Sequence, residues 1–315
     1  MTADGFMYAN MSFFPDNYDV FFHLSVSIRQ FVILPVMDMP ASLSRKQIQD
    51  LRLLRKRPER YDQGQFVVEG HRAVMQVLQN GILDVRFLVL SAAYLDALDR
   101  RNQDSSVDSL MGRDCPVYQV GSRVFQQLAD TESAQGILAV CRLPLPTPAD
   151  VLLDQTGVLL AADRIQDPGN LGTMVRTAAW FGLKGLVLSD GTTDLFHPKV
   201  VRSTAGATGV LPWLTTSLTE FLERASQKGW MVHLLDSGPG SVSHYSAGPA
   251  GRDILVAGNE ATGLSEEIRN AGYQRLRVDP AGDPARGTSS ETVESLNASV
   301  ASAIVMAHFC HHPDK

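Results

Sequence analysis

The sequence predicts an α/β protein built on a parallel sheet, and three observations carry that prediction. From Ser42 onward, short apolar runs alternate with stretches of helical periodicity. Two of those runs, residues 158–162 (VLLAA) and 185–189 (GLVLS), are apolar without interruption, as strands covered on both faces are. The third is composition: 315 residues, 44% hydrophobic and 20% charged, is an ordinary globular chain long enough for two domains.

The segment between the two runs, DRIQDPGNLGTMVRTAAWFG (residues 163–182), organises the reading. Leu171, Met174, Val175, Ala178 and Ala179 recur at the spacing of one helix stripe. Asp167-Pro168-Gly169 makes a turn, Asn170 reads as the N-cap, and Gly182 stands where a left-handed residue ends the helix. A strand–loop–helix–strand unit puts the loop at the carboxyl end of a sheet, where open α/β folds bind ligands. Arg176 falls off the apolar stripe and is free to face such a site, although taken alone it reads as a solvated helix arginine.

Two downstream segments complete a pattern. Asn170-Leu171-Gly172 with Arg176-Thr177-Ala178 and Phe181-Gly182 is followed by Ala257-Gly258-Asn259-Glu260-Ala261-Thr262-Gly263-Leu264. After these comes Glu294-Ser295-Leu296-Asn297-Ala298-Ser299-Val300-Ala301. In order and rough spacing, the three blocks resemble the three motifs of the SpoU/TrmH family of RNA ribose 2′-O-methyltransferases, across about half of the chain. The resemblance implies a carboxyl-terminal SPOUT domain with a deep trefoil knot, an exception to the rule that chains avoid threading. It also implies S-adenosylmethionine as cofactor and RNA, most readily large-subunit rRNA, as substrate, with tRNA the alternative. A homodimer in the cytoplasm completes what it implies, with the first-motif arginine of one subunit completing a site near the other's cofactor.

Carried over residue by residue, the resemblance makes Arg176 the key catalytic arginine, surrounded by Asn170, Glu260, Ser295 and Asn297. Arg176 would grip the substrate phosphate and orient the 2′-hydroxyl, a task for a planar fork of donors. A permanently protonated arginine is a poor base, so the general base is left open. Glu260 would position Arg176 or fix Asn170, and Ser295 and Asn297 would order the site. Without the resemblance, Glu260 and Asn297 read as loop and helix caps. Gly258, Asn259 and Leu296 are the candidate cofactor contacts, with Gly258 permitting close approach and Leu296 packing on the cofactor. One departure stands out: the family's Ile-Pro-Met-x-Gly is here Val278-Asp279-Pro280-Ala281-Gly282, followed by the polar stretch 283–292.

The rest of the chain is read around that core. Residues 1–40 form an amino-terminal extension expected to be disordered, with translation expected to begin near Met39. The interrupted apolar stretch 20–36 is neither a clean membrane span nor a signal peptide. Residues 41–142 are assigned to a small α/β substrate-binding domain, 143–148 (LPLPTP) to a linker, and 149–315 to the methyltransferase domain. GQFVVEG, a helix and VRFLVL resemble the family's amino-terminal domain, itself similar to ribosomal proteins that bind kinked RNA.

A helix is expected over 45–56, strands over 65–69 and 85–90, and a final helix over 293–309 with Leu296, Val300, Ile304 and Ala307 on one face. The net charge of −6 gives no compositional sign of nucleic acid. Residues 45–60, however, hold seven basic residues (Arg45, Lys46, Arg52, Arg55, Lys56, Arg57 and Arg60) against Asp50 and Glu59. This is either a solvated helix face or a phosphate-contacting surface, and the resemblance favours the second. Cys115, Cys141 and Cys310 are too few and too scattered for a disulfide framework and suit a reducing compartment. His308, His311 and His312 read as a frayed end rather than a metal site, and no metal is expected. Two readings compete: a fold member that binds RNA without turnover, and a dinucleotide-dependent oxidoreductase, for which no G-x-G-x-x-G follows a strand.

Overall fold

The computed structural model describes residues 41–100, 115–280 and 295–310; the expectations for the extension, the start at Met39, residues 281–294 and His311 and His312 lie outside them. Residues from Pro40 onward form one compact unit. Its first part contains β1 (Ala41–Ser42), α1 (Arg45–Leu53), α2 (Arg57–Gln63), β2 (Gln65–Glu69) and α3 (His71–Asn80). These are followed by β3 (Val85–Ser91), α4 (Ala92–Arg100), β4 (Val117–Val120), α5 (Ser122–Leu128) and β5 (Ile137–Arg142). The strands make a five-stranded mixed sheet in the order β1-β4-β3-β5-β2. The expected single basic helix is in fact two, because α1 stops at Leu53 and Pro58 in the first turn of α2 starts a new one.

The second part begins with α6 (Ala149–Leu153), β6 (Gly157–Asp163), α7 (Pro168–Trp180), β7 (Gly185–Leu188), α8 (Pro198–Ser203) and β8 (Trp213–Thr215). It continues with α9 (Leu218–Gln227), β9 (Met231–Leu235), β10 (Val242–Ser243) and β11 (Arg252–Gly258). α10 (Glu266–Asn270), β12 (Gln274–Arg277) and α11 (Ala298–Cys310) complete it. The seven-stranded sheet runs β10-β12-β9-β11-β6-β7-β8, and every pair in it is parallel. Residues 158–162 are buried throughout, as their uninterrupted apolar character requires.

The two sheets share a hydrophobic cluster: Phe66 of β2 stacks on Phe196 at 4.9 Å between ring centroids, and Phe196 packs edge-on against Trp213 of β8 at 5.3 Å. The proline-rich segment 143–148 between them is tied at both ends, Leu143 N–H donating to the Gly64 carbonyl and Thr147 N–H to that of Trp213. A buried ion pair fastens the same junction. Arg60 of α2, 1% exposed, gives its Nε and Nη2 to Asp194 and its Nη1 to the carbonyls of Leu54 and Arg55.

In α7 the stripe Leu171, Met174, Val175 and Ala178 is buried, and Gly182 takes φ 68° at the helix end. Gly172 lets α8 approach, since a Cβ there would lie 2.4 Å from the Ser203 Cβ. The terminal helix departs from expectation. α11 begins at Ala298, after Leu296, and buries Ser299, Ser302, Val305, Met306 and Phe309. Of the stripe Leu296, Val300, Ile304 and Ala307, Leu296 is 47% and Val300 46% exposed, while Ile304 and Ala307 are half-buried. His308 is not frayed: its Nε2 lies 2.7 Å from the Ala247 carbonyl oxygen, and its ring packs on His244 and Tyr245.

Candidate active site

The three sequence blocks meet at the carboxyl ends of β6 and β11, which pair in register so that Asp163 faces Gly258. The helix α7 starts three residues earlier than the turn reading implied. Asp167 is its N-cap, with Oδ1 accepting the Asn170 N–H at 2.7 Å, and Pro168 occupies the first helical position. Asn170 is therefore not the cap, and its side chain is released for other work.

That side chain joins the other two blocks. Its Nδ2 donates to Glu260 Oε1 at 2.6 Å, and its Oδ1 accepts from Asn297 Nδ2 at 2.9 Å. Asn297 also caps α11, its Oδ1 accepting from the Ser299 N–H at 2.9 Å, from the Ser299 hydroxyl at 2.6 Å and from the Val300 N–H at 3.3 Å. Asn297 thus serves both the capping role and the site. Glu260 holds Asn170, not Arg176.

Asn259 builds the loop that carries Glu260. Its Oδ1 accepts from the N–H groups of Ala261 and Thr262, its backbone pairs with Gly263, and its Nδ2 donates to the Arg164 carbonyl at 2.8 Å. Gly258 is needed for the same turn, because a Cβ there would lie 2.6 Å from the backbone of Gly263 and Leu264. The close approach it permits here is that of its own loop. Beneath, Asp163 is 2% exposed and accepts the Ser265 N–H at 2.6 Å, setting a carboxylate at the start of α10.

Arg176 and Ser295 stay outside this network. Arg176 is exposed, and among the described residues it has no hydrogen-bond or ion-pair partner. Six residues beyond Asn170 on the helix, it is rotated about a third of a turn away from it. It shares its face with Trp180, one turn on and 84% exposed. Ser295 is exposed just before Leu296 and Asn297. Asp279, which replaces an apolar residue of the family pattern, turns toward its own strand. A hydrogen bond with Ser243 and the Arg277 guanidinium 2.8 Å away hold its carboxyl below the usual carboxylate range.

Two features escaped the sequence reading. Arg164 takes φ 54°, a left-handed conformation uncommon outside glycine, and no local pattern announces it. The Arg60–Asp194 pair joins positions 134 residues apart, a separation at which sequence periodicity is silent.

Comparison with known proteins agrees with this architecture. Residues 157–307 match the model of the SpoU rRNA Methylase family, and residues 45–139 that of the MRM3-like substrate binding domain. The chain is 29% identical over 273 residues to the Bacillus subtilis 23S rRNA (guanosine(2553)-2'-O)-methyltransferase RlmP, covering 85% of this chain and 97% of that protein. It is 30% identical over 248 residues to a tRNA/rRNA methyltransferase of Mycolicibacterium gilvum described as uncharacterized, covering 76% of this chain and 74% of that one.

Among solved structures, a candidate RNA methyltransferase of the TrmH family from Porphyromonas gingivalis superposes with a TM-score of 0.67 at 32% identity, covering 85% of this chain and 98% of that one. An AdoMet-bound rRNA methyltransferase from Sinorhizobium meliloti does so with a TM-score of 0.68 at 25% identity, covering 85% and 95%. The chain belongs to the SpoU/TrmH family of RNA methyltransferases.

Proposed function

We propose that this protein transfers a methyl group from S-adenosylmethionine to a ribose 2′-hydroxyl of RNA, with large-subunit rRNA as the substrate. One observation carries the reading: the Asn170 amide joins Glu260 and Asn297, residues of three separated segments, at the carboxyl edge of a parallel sheet. The rRNA assignment draws on the similarity to RlmP and on the MRM3-like match over residues 45–139.

The residues at this edge suit an adenosine cofactor. Loops leave β9, β11 and β12 side by side, offering backbone donors and acceptors, and Leu296 presents a half-exposed apolar side chain next to α11, which packs on β11. Gly258, Asn259 and Leu296 would hold the group, which supplies the electrophilic methyl. Asn170, locked between Glu260 and Asn297, fixes the geometry of the first turn of α7. Arg176, without a partner among the described residues, grips the RNA phosphate and orients the hydroxyl. The same reading includes the trefoil knot in the carboxyl-terminal segment, supported by the packing of α11 on both α7 and β11.

It also includes a homodimer through α7 and α11. These helices pack together and leave Trp180 and Val300 exposed, with Leu296 exposed just before α11 and Arg176 on the Trp180 face, so the arginine of one subunit serves the other's site. The enzyme works in the cytoplasm, and among the described residues no helix is long and apolar enough to cross a membrane. The test is transfer of labelled methyl from S-adenosylmethionine to unmodified large-subunit rRNA, with nucleoside mass spectrometry of the product. Label on a 2′-O-methyl nucleoside is expected; label on a base, or on tRNA alone, would overturn the reading.

A further inference from the structure

Arg164 directly follows β6 and holds φ 54°, where glycine or asparagine sits at least cost. The conformation is fixed from both sides. Its N–H donates to Ser189 Oγ at 2.8 Å, and its carbonyl accepts from Asn259 Nδ2 at 2.8 Å. Asn259 precedes Glu260, so the strained residue is wired into the same frame as Asn170. Glycine would satisfy this backbone freely; what arginine adds is its side chain.

That side chain is only partly used. Its Nε is buried without a hydrogen-bond partner, 3.6 Å from Asp163 Oδ1, too long for a hydrogen bond. Among the described residues no acceptor takes a hydrogen bond from its Nη atoms, and the side chain is 42% exposed. It also has a direction. Its Cγ lies 3.5 Å from where a Cβ on Gly191 would stand, so it runs over the loop after β7. Gly191 shares a recess with Ser189 and with Arg57 and Tyr61 of α2. β6 separates this side from β11, where the candidate cofactor residue Gly258 lies. An exposed guanidinium edge without an internal acceptor among the described residues is suited to an oxyanion.

We infer that Arg164 holds a backbone phosphate of the substrate RNA on the β7 side of the site, an inference that rests on the RNA methyltransferase reading above. The cofactor's carboxylate offers the same anion chemistry, and a purely internal role as counterion to Asp163 is the structural rival.

The variants Arg164→Gly and Arg164→Lys separate these. Arg164→Gly, matched to the backbone, should bind S-adenosylmethionine as the parent does in calorimetry. Its dissociation constant for unmodified large-subunit rRNA should rise roughly tenfold, and the log–log salt slope should fall by about 0.7–0.9, one phosphate contact. Arg164→Lys should restore the slope but only part of the affinity, because a point charge replaces a fork.

Parent RNA affinity and slope in Arg164→Gly would reduce the arginine to a counterion and overturn the proposal. Lost cofactor affinity with unchanged RNA binding would do so in favour of the carboxylate. If Arg164→Gly does not fold, Arg164→Asn, which also tolerates this φ, takes its place; failure of both to fold assigns the residue to Asp163 and ends the proposal. Binding is read at equilibrium. A parent that binds rRNA but methylates no ribose would therefore sink the functional reading while these comparisons still decide Arg164; a parent that binds no rRNA would sink both.

Discussion

Asn170 Nδ2 and Glu260 Oε1 lie 2.6 Å apart, joining residues 90 positions distant in the chain. The carboxylate takes one edge of the amide while Asn297 takes the other, so the Asn170 amide cannot flip without breaking both bonds. The residues are at or near the surface, so the bond matters more for orientation than for stability.

Glu260→Ala should therefore lower methyl transfer by about two orders of magnitude, a few kcal/mol of transition-state stabilisation, while shifting the melting temperature little. Glu260→Gln, which keeps an acceptor, should retain more activity. Asn170→Asp should be worse than Asn170→Ala, since it sets a second carboxylate against Glu260 and removes the donor. Steady-state kinetics beside thermal melts check this; parent-like turnover in Glu260→Ala would remove the network from function.

How much of this was legible in the sequence depended on the kind of signal. The buried stripe of α7 could be read because apolar and polar residues alternate cleanly around that helix. The role of Asn170 was obscured because two capping residue types, Asp167 and Asn170, stand in one turn, and Pro168 decides between them. α11 misled for another reason. Its sequence ASVASAIVMAHFC is small or apolar on every side, so periodicity cannot tell which face is buried, and the residues it buries, Ser299, Ser302, Val305, Met306 and Phe309, are not the stripe Leu296, Val300, Ile304 and Ala307. Convergence of the three blocks was visible only through family resemblance; the bonds among them, and the tie of Arg60 to Asp194, are products of the fold.

Arg176→Ala should abolish methyl transfer and leave binding of S-adenosylmethionine near normal, because among the described residues the side chain has no partner to lose. Arg176→Lys should also fail, since an ammonium cannot make a bidentate contact. Calorimetry and single-turnover assays on the same preparations make the comparison. Near-normal turnover in Arg176→Ala would return the residue to a solvated helix face.

The position of Arg176 on the Trp180 face yields a test of the shared site. Mixing Arg176→Ala with Asn170→Ala homodimers, under conditions that allow subunit exchange, should restore about a quarter of parent activity: half of the dimers are then mixed, and each holds one intact site. Trp180→Glu should give a monomer in light scattering, with activity lost in parallel. A fully active monomer, or mixtures as inactive as their components, would count against a site built from two subunits.

The Arg60–Asp194 pair should be a stability element. Arg60 is 1% exposed and Asp194 6%, and Asp194 also accepts the Tyr61 hydroxyl at 2.8 Å. Removing one partner leaves a buried charge alone, so Asp194→Ala should cost about 3–5 kcal/mol in denaturant unfolding. Burial, followed by the hydrogen bond to Asp194, pushes the Tyr61 pKa up from 10.0 to about 12. Between those values the unfolded chain releases the phenolic proton while the folded protein keeps it, so stability should fall as pH rises from 10 to 12. Tyr61→Phe should remove that component, and an unchanged pH profile would contradict the linkage.

The basic segment at residues 45–60 divides once its contacts are counted. Arg60 is spent on Asp194, and Arg55 already gives its Nη2 to the carbonyls of Gln127 and Ala129. Arg57 lies over the Tyr61 ring at 5.5 Å. Arg45 and Arg52 line an open groove along α1, and Lys56 is exposed at the start of α2. Neutralising Arg45, Arg52 and Lys56 together to glutamine should therefore weaken binding of large-subunit rRNA and lower the log–log salt slope by roughly 0.7–0.9 per lost contact. Affinity for S-adenosylmethionine should not change, because its candidate residues lie on the other sheet. Arg55→Gln, by contrast, should lower stability through its two carbonyl contacts and leave the salt slope alone. If the triple variant binds rRNA as the parent does at every salt concentration, the groove is a solvated helix face and the first sheet serves a structural role.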